Sequence, residues 1–289
     1  MKVSFIICYS STWPMTVFDK ISWPEVNKEL DSRILKQTNY LLKQIESIPI
    51  NKEIILLDNS DDFVLERHVN DCKVVKSFGS CKSEQEAIDL FKPIVEHYKI
   101  SDNIDYDIKW NDQAQITSLA YQHGVYLSTG NYIVQQHNDT EYLFDFYSKE
   151  SIILDAIKYL EENDYAYLSI DKKAVKECNF PEYNSQVKHC ADNYWFLCRQ
   201  GLYESTNSWV DWLRGDSNHL VTFACENNNL KYKHLPGYYE NENRPEQKFW
   251  FNYYRLRYNL DNECRYHELY NKPFLRHHKG GTGLKSLLK

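Results

Sequence analysis

The sequence predicts an α/β protein: a Rossmann-like, mixed and mostly parallel sheet flanked by helices, followed by a C-terminal extension. Three observations carry this expectation. Two continuous apolar runs, residues 2–9 (KVSFIICY) and 53–57 (EIILL), read as strands buried on both faces, as parallel strands are. Between them the apolar residues recur at helical spacing, so strand, helix and strand follow one another as a right-handed βαβ unit. A third run, Tyr132-Ile133-Val134, leads straight into the polar Gln135-Gln136-His137-Asn138-Asp139. Ligands of open α/β sheets bind at the carboxyl ends of such strands.

Each element has its own local reason. The first run ends in a loop with Ser10, Ser11 and Pro14. Ile34, Leu35, Leu41, Leu42, Ile45 and Ile48 share one broad helical face over about 32–48, and Pro49 stops that helix. The second strand is closed by the turn-forming Asp58-Asn59-Ser60-Asp61-Asp62. A short strand is expected at 73–78 and a helix over 84–98, with Ala87, Ile88, Phe91 and Val95 as its apolar positions. A further helical pattern over 112–127 ends at Ser128-Thr129-Gly130-Asn131. Beyond the polar strand tip, a helix is expected at 151–162 and strands near 165–170, 194–198 and 231–234. The boundary falls between a domain of residues 1–236 and an extension of residues 237–289. The extension is expected to pack near the active site.

Composition narrows the classes of function. With 289 residues, 42% hydrophobic and 26% charged, the chain is long enough for one large α/β domain. A formal net charge of −7 and the lack of a Lys/Arg run argue against nucleic acid and against an anionic membrane surface. No apolar stretch reaches the ~18 residues of a membrane span, and the run from Val3 to Cys8 is too short for a signal peptide. A cytoplasmic location is the expectation. The eight cysteines contain no CxxC pair, which speaks for reduced, buried thiols rather than zinc. The 23 tyrosines and 7 tryptophans suit sugar rings, and they suit ordinary cores equally. Trp195, Trp209, Trp212 and Tyr238 are the candidates for such an aromatic wall, each equally a core residue.

The order of these motifs resembles the GT-A glycosyltransferases, in particular the large family-2 type, over roughly residues 2–235. KVSFIICY is similar to that family's first strand, which leads into the base pocket, and EIILLDNS to its second, whose terminal acid binds the base. AYQHGVYLSTGNYIVQQHND resembles its helix, small-residue turn and strand ending in an Asp-x-Asp metal motif. Here His137 stands where the first Asp is usual. WLRGDSNHL resembles the acidic segment that supplies the catalytic base.

The resemblance implies a nucleotide-sugar donor, a UDP-sugar by preference, a glycan or glycoconjugate acceptor, and Mn²⁺ or Mg²⁺ as cofactor. It places Tyr9, Asp58 and Asn138 at the donor nucleotide. Asp139, His137 and His278 fall at the metal, and Asp216 is the base that makes the transfer inverting. The chemistry fits the residue types. A cation neutralises a leaving diphosphate, and Mg or Mn takes one or two carboxylates, with imidazole a good ligand for Mn-type ions. Asp216 follows a Gly and precedes an apolar helical run, and a helix N-terminus favours an ionised carboxylate. Asp211 is its nearest rival. Arg276-His277-His278-Lys279-Gly280-Gly281 resembles a closing segment that contacts metal or pyrophosphate, and Arg244 and Lys248 are further phosphate candidates. Two other readings stay open: a nucleotidyltransferase on a similar sheet, and a non-catalytic glycan-binding relative. The first is disfavoured by the absence of Lys or Arg from Cys8 to Met15, and the second is kept open by His137.

Overall fold

The first strand of the chain lies inside the main sheet, with a parallel neighbour on either side. The protein is described by a computed structural model that covers residues 1–9, 24–59, 72–98, 113–170, 172–174, 189–191, 194–206, 217–238 and 264–278. The strands up to the first helix-rich half are β1 (Val3–Tyr9), β2 (Lys52–Asp58), β3 (Lys73–Lys76), β4 (Tyr132–His137) and β5 (Thr140–Tyr142). Next come β6 (Tyr167–Ser169), β7 (Lys172–Ala174), β8 (His189–Ala191), β9 (Trp195–Arg199) and β10 (Lys233–His234). The last three are β11 (Gly237–Tyr238), β12 (Cys264–Leu269) and β13 (Lys272–His278). The helices are α1 (Pro24–Glu46), α2 (Glu84–Tyr98), α3 (Gln113–Leu127), α4 (Ile152–Glu162), α5 (Leu202–Ser205) and α6 (Ser217–Asn227).

The main sheet has seven strands in the order β10-β6-β9-β4-β1-β2-β3. Neighbours run parallel except at β9, which is antiparallel to both β4 and β6. This is the mixed, mostly parallel sheet that the apolar runs predict. Side chains alternate across it, as a pleated strand requires. Val3, Phe5, Ile7 and Tyr9 join a core with Leu41, Leu42 and Ile45 of α1 and Ile153, Ile157 and Leu160 of α4. Ile6 faces the other core, with Leu119, Ala120 and Val125 of α3 and Phe91 of α2.

Several boundaries differ from expectation. Helix α1 starts at Pro24, eight residues earlier than the apolar spacing suggests; proline suits a first helical turn, where its missing N–H costs nothing. Strand β4 runs on through Gln135, Gln136 and His137, because β1 and β9 bond it from both sides. The hairpin β12–β13 has no counterpart in the sequence reading. It turns on Tyr270 and Asn271, both at positive φ (49° and 59°), the geometry of a tight two-residue hairpin. Strand β13 then pairs antiparallel with β5, so a second, four-stranded sheet (β11-β12-β13-β5) joins residues past 237 to the stretch just after β4. Cys8, Cys72, Cys81, Cys190, Cys198 and Cys225, the cysteines whose side chains are described, are free thiols, four of them buried. Among the described residues no helix is long and apolar enough to cross a membrane.

The amino ends of the three central strands are tied by one carboxylate. Glu53 accepts hydrogen bonds from Lys2 Nζ (2.7 Å), Ser4 Oγ (2.5 Å) and the Thr129 backbone N–H (2.6 Å). Ser4 Oγ accepts in turn from the Gly130 N–H (2.8 Å), and a Cβ at Gly130 would lie 2.7 Å from the Ser4 backbone nitrogen. Partial burial works against the Glu53 charge, but the bonds from Lys2, Ser4 and Thr129 outweigh it and hold the carboxyl at about 2. The stabilisation from a depressed carboxyl is complete above the unfolded value near 4.5 and is lost as pH falls through about 2. Glu53→Gln should therefore lower the melting temperature at pH 7. In parallel thermal melts, the gap to wild type should close between about pH 4.5 and pH 2.

Candidate active site

Register places the candidate residues in one row. β1 pairs Tyr9 with Asp58 of β2 and Cys8 with His137 of β4, so three strand tips lie side by side at the carboxyl edge of the sheet. With neighbouring strands ~4.8 Å apart, Asp58 and His137 stand on the order of 10 Å from each other across β1. Their side chains leave by different faces. Tyr9 sits among the residues of the α1 core, and Asp58 shares that face by alternation from Ile54 and Leu56. His137 instead stacks on Tyr121 of α3, ring centroids 6.1 Å apart and nearly coplanar.

Asp58 is not a solvated turn acid. It is the last residue of β2 and fully buried. Its backbone carbonyl accepts from Ser77 N–H (3.0 Å) and Ser80 Oγ (2.6 Å), which ties the β2 tip to the short 3₁₀ turn Phe78–Ser80. Asn59 continues this closure: its N–H donates to Tyr9 O (2.8 Å) and its Oδ1 accepts from Gly79 N–H (3.0 Å). A side chain on Gly79 would meet Asn59 Cβ at 2.5 Å, so only glycine lets the turn sit this close. His123 lies against Phe78, ring centroids 5.9 Å apart; burial first, and Lys73 second, push its imidazole down to about 4.

Beyond β4 the chain turns at Asn138 and Asp139 into β5. Thr140 Oγ1 donates to His137 O (2.7 Å) and closes the turn, while Asn138 Nδ2 donates to the buried Thr38 Oγ1 of α1 (3.0 Å). Asp139 lies between two imidazoles. Its Oδ1 is 3.8 Å from His137 Nδ1, and its Oδ2 is 3.2 Å from His277 Nε2. Tyr194 packs against both rings, 4.6 Å from His137 and 3.9 Å from His277, and its carbonyl accepts the His137 N–H (3.0 Å). The β13–β5 pairing, which sets His277 opposite Thr140, brings that histidine here.

Arg276, one residue earlier on β13, locks the same pairing. Its Nε donates to Glu141 Oε2 (2.8 Å), its Nη2 reaches the same oxygen, and Tyr40 OH of α1 donates to Glu141 Oε1 (3.1 Å). Burial, followed by the Glu141 charge and its hydrogen bond, pushes the Tyr40 hydroxyl up to about 12, so it stays a donor at neutral pH.

Sequence reasoning chose His278 of the adjacent pair. His278 ends β13 and its side chain lies outside the described residues, whereas its neighbour His277 is the histidine at Asp139. His277 was named only as part of the segment 276–281, and Tyr194, Tyr121 and Thr38 were missed, since each reaches the site through tertiary pairing. Trp195 belongs to the core: it is fully buried, and its Nε1 donates to Tyr142 OH (3.1 Å). Asp216, Asp211, Trp209, Trp212, Arg244, Lys248 and Lys279 lie outside the described residues, as does the side chain of Tyr238.

Asp139 and His277, already in hydrogen-bonding contact, are the described residues that could hold a divalent cation. Two ligands each ~2.1 Å from an ion and at right angles stand about 3 Å apart, close to the 3.2 Å between Asp139 Oδ2 and His277 Nε2. Among the described residues no group of three His, Cys, Asp or Glu is already arranged as a complete metal site. Any ion held here would draw the rest of its shell from a bound ligand and water.

No protein-family model matches the sequence, and no curated protein matches it. Among solved structures the chain is similar to S. aureus TarS residues 1–349 in complex with UDP-GlcNAc, at 14% identity and a TM-score of 0.34. That match covers 72% of this chain and 48% of TarS 1–349, so the chain spans about half the length of that structure. It is similar also to CMP:2-keto-3-deoxy-manno-octonic acid synthetase complexed with CTP (8% identity, TM-score 0.36, covering 81% of this chain and 89% of that one). A third is mannosyl-3-phosphoglycerate synthase from Rubrobacter xylanophilus (9% identity, TM-score 0.36, covering 100% and 89%). Likeness this distant passes no residue role to this chain. The sheet itself is of the α/β kind: mixed, mostly parallel and covered by helices on both faces.

The Arg276–Glu141 pair is nearly buried, with side-chain exposures of 17% and 8%. Removing one partner of such a pair strands the other charge. Arg276→Leu should cost about 3–5 kcal/mol in urea unfolding, and Arg276→Leu with Glu141→Leu should recover much of it.

Proposed function

We propose that this chain is a glycosyltransferase that moves a sugar from a nucleoside-diphosphate donor, a UDP-sugar by preference, to a hydroxyl of a glycan or glycoconjugate. The observation that supports this best is the row Asp58, Tyr9, His137 and Asp139 along the carboxyl edge of the sheet, with His277 brought onto Asp139 by a strand from the far end of the chain. In this reading Asp58 and Tyr9 meet the base, and Asn138 helps hold the nucleotide. Asp139 and His277, with His137 beside them, would hold Mn²⁺ or Mg²⁺ against the diphosphate. The cation supplies Lewis-acid neutralisation of the leaving group.

The transfer is inverting in this reading. The acceptor oxygen attacks the anomeric carbon from the face opposite the diphosphate, and the bond from that carbon to the phosphate oxygen breaks with its electron pair. Asp216 takes the proton that the acceptor hydroxyl loses. Asp216 immediately precedes Ser217, the first residue of α6, where a helix N-terminus favours the ionised carboxylate.

Calorimetry tests the donor half of the proposal. UDP should bind wild type more tightly with Mn²⁺ than with chelator. Asp139→Asn should abolish that difference, and Asp58→Ala should weaken binding by about 1–3 kcal/mol with or without the metal. Equal affinity in chelator and Mn²⁺ would refute the metal role, and a wild type that binds no nucleoside diphosphate would refute the whole reading.

Kinetics tests the base. Asp216→Asn keeps shape and removes the proton acceptor, so kcat should fall by about 10²–10⁴ with donor affinity unchanged. Asp211→Asn, measured beside it, should stay near wild type. If Asp211→Asn is the inactive variant instead, the base lies five residues earlier in the chain.

A further inference from the structure

Directly under His137, on the same face of β4, three buried polar side chains close a ring. Gln135 Nε2 donates to Tyr203 OH (2.6 Å), Tyr203 OH donates to Asn218 Oδ1 (2.7 Å), and Asn218 Nδ2 donates to Gln135 Oε1 (3.2 Å). Gln135 and Asn218 are wholly buried and Tyr203 is 1% exposed. Every group both donates and accepts in the same rotational sense, an arrangement in which each bond polarises the next.

The ring joins the centre of β4 to α5 and to the first turn of α6. Burying three polar side chains in an apolar core is costly unless each is satisfied, and an apolar trio would fill the space without that risk. What the ring adds over apolar packing is direction: hydrogen bonds fix the rotation and height of α6 on the sheet, which side-chain packing alone leaves softer. A second tie acts one turn later. Thr222 Oγ1 accepts from the Ala191 N–H (2.9 Å) and is hydrogen-bonded to Tyr167 OH of β6 (2.8 Å). The start of α6 is thus held at two successive turns.

We propose that Gln135, Tyr203 and Asn218 are positioning residues that fix the start of α6, the helix into which Asp216 leads in the sequence, relative to the strand that carries His137. This rests on the reading of Asp216 as the base. None of the three touches substrate; they act through the helix they orient.

The test uses two variants of the full chain. Tyr203→Phe removes the hydroxyl that links the other two members. Gln135→Met/Tyr203→Phe/Asn218→Leu replaces the ring by apolar groups of similar volume, a change that is often neutral for stability. In the triple variant, cooperative unfolding near the wild-type midpoint should accompany UDP affinity within about twofold of wild type and a kcat for sugar transfer lower by about 10–100-fold, the scale of a small misplacement of a reacting group. Amide exchange of Ser217–Asn227 should quicken in both variants while β1 and β2 keep their protection. Wild-type kcat in the stable triple variant overturns the proposal, as does unchanged exchange in α6. Should wild type itself bind no nucleoside diphosphate, the functional reading fails, and exchange alone then decides whether the ring orients α6.

Discussion

Strand β1 is bonded on both sides by parallel neighbours, and that double register is the constraint from which the site follows. Parallel pairing brings like ends together. Once Tyr9 is set opposite Asp58 and Cys8 opposite His137, the polar tips of three strands must share one edge. A shift of a single residue would turn Asp58 toward the opposite face and bring an apolar leucine to the tip. The register is protected at the other end by Glu53, which gathers donors from Lys2, Ser4 and Thr129. It is protected in the middle by Gly124, where a Cβ would meet Ile6 Cγ2 at 2.3 Å and force α3 off the sheet. The stabilising chemistry thus sits at the amino ends of the strands, and the carboxyl ends carry the candidate functional groups.

The second constraint comes from β13. Its pairing with β5 delivers His277 to Asp139, and Arg276 fastens that pairing from the next position along the strand. Tyr40 of α1 also bonds Glu141, and Thr38 of the same helix bonds Asn138. One helix therefore braces both the turn that holds Asp139 and β5, the strand that follows it. Polar groups this deep would be a liability if they were half-satisfied; joined in this way they rigidify the turn.

The central fold was legible because burial on both faces leaves a plain trace. KVSFIICY, EIILL and YIV are apolar runs too short for helices, and each became a strand of the main sheet. The closing hairpin left no such trace. Its turn uses Tyr270 and Asn271 where an Asn-Gly pair would have announced it, and β13 reads as KPFLRHH, with buried residues on consecutive positions and no alternation to follow. That is why His277 could not be told from His278 in the sequence. The tip residues Asp58, His137 and Asp139 stood out through order along the chain, whereas Tyr121 and Tyr194 acquire meaning only when α3 and β9 pack against β4. Gln135 and Gln136 misled in the other direction: polar residues ended the expected strand at Val134, although both are buried and bonded within it.

Those two glutamines show how the sheet serves two demands at once. Strand β4 carries His137 at its end, so its last residues cannot be held by apolar packing alone without leaving the tip free to rotate. Gln136 accepts from Tyr142 OH (2.6 Å), itself bonded by Trp195, on the face shared with α4 and β13. Gln135 enters the ring with Tyr203 and Asn218 on the face shared with α3 and α6. The strand is therefore pinned by directional bonds on both faces in the two residues before His137. A hydrophobic pair there would hold the strand as firmly against unfolding while specifying its twist less sharply. The placement of polar residues immediately behind the tip, with the apolar Ile133 and Val134 deeper in β4, is what a strand needs when its end must present a side chain in one orientation and its beginning must only stay bound.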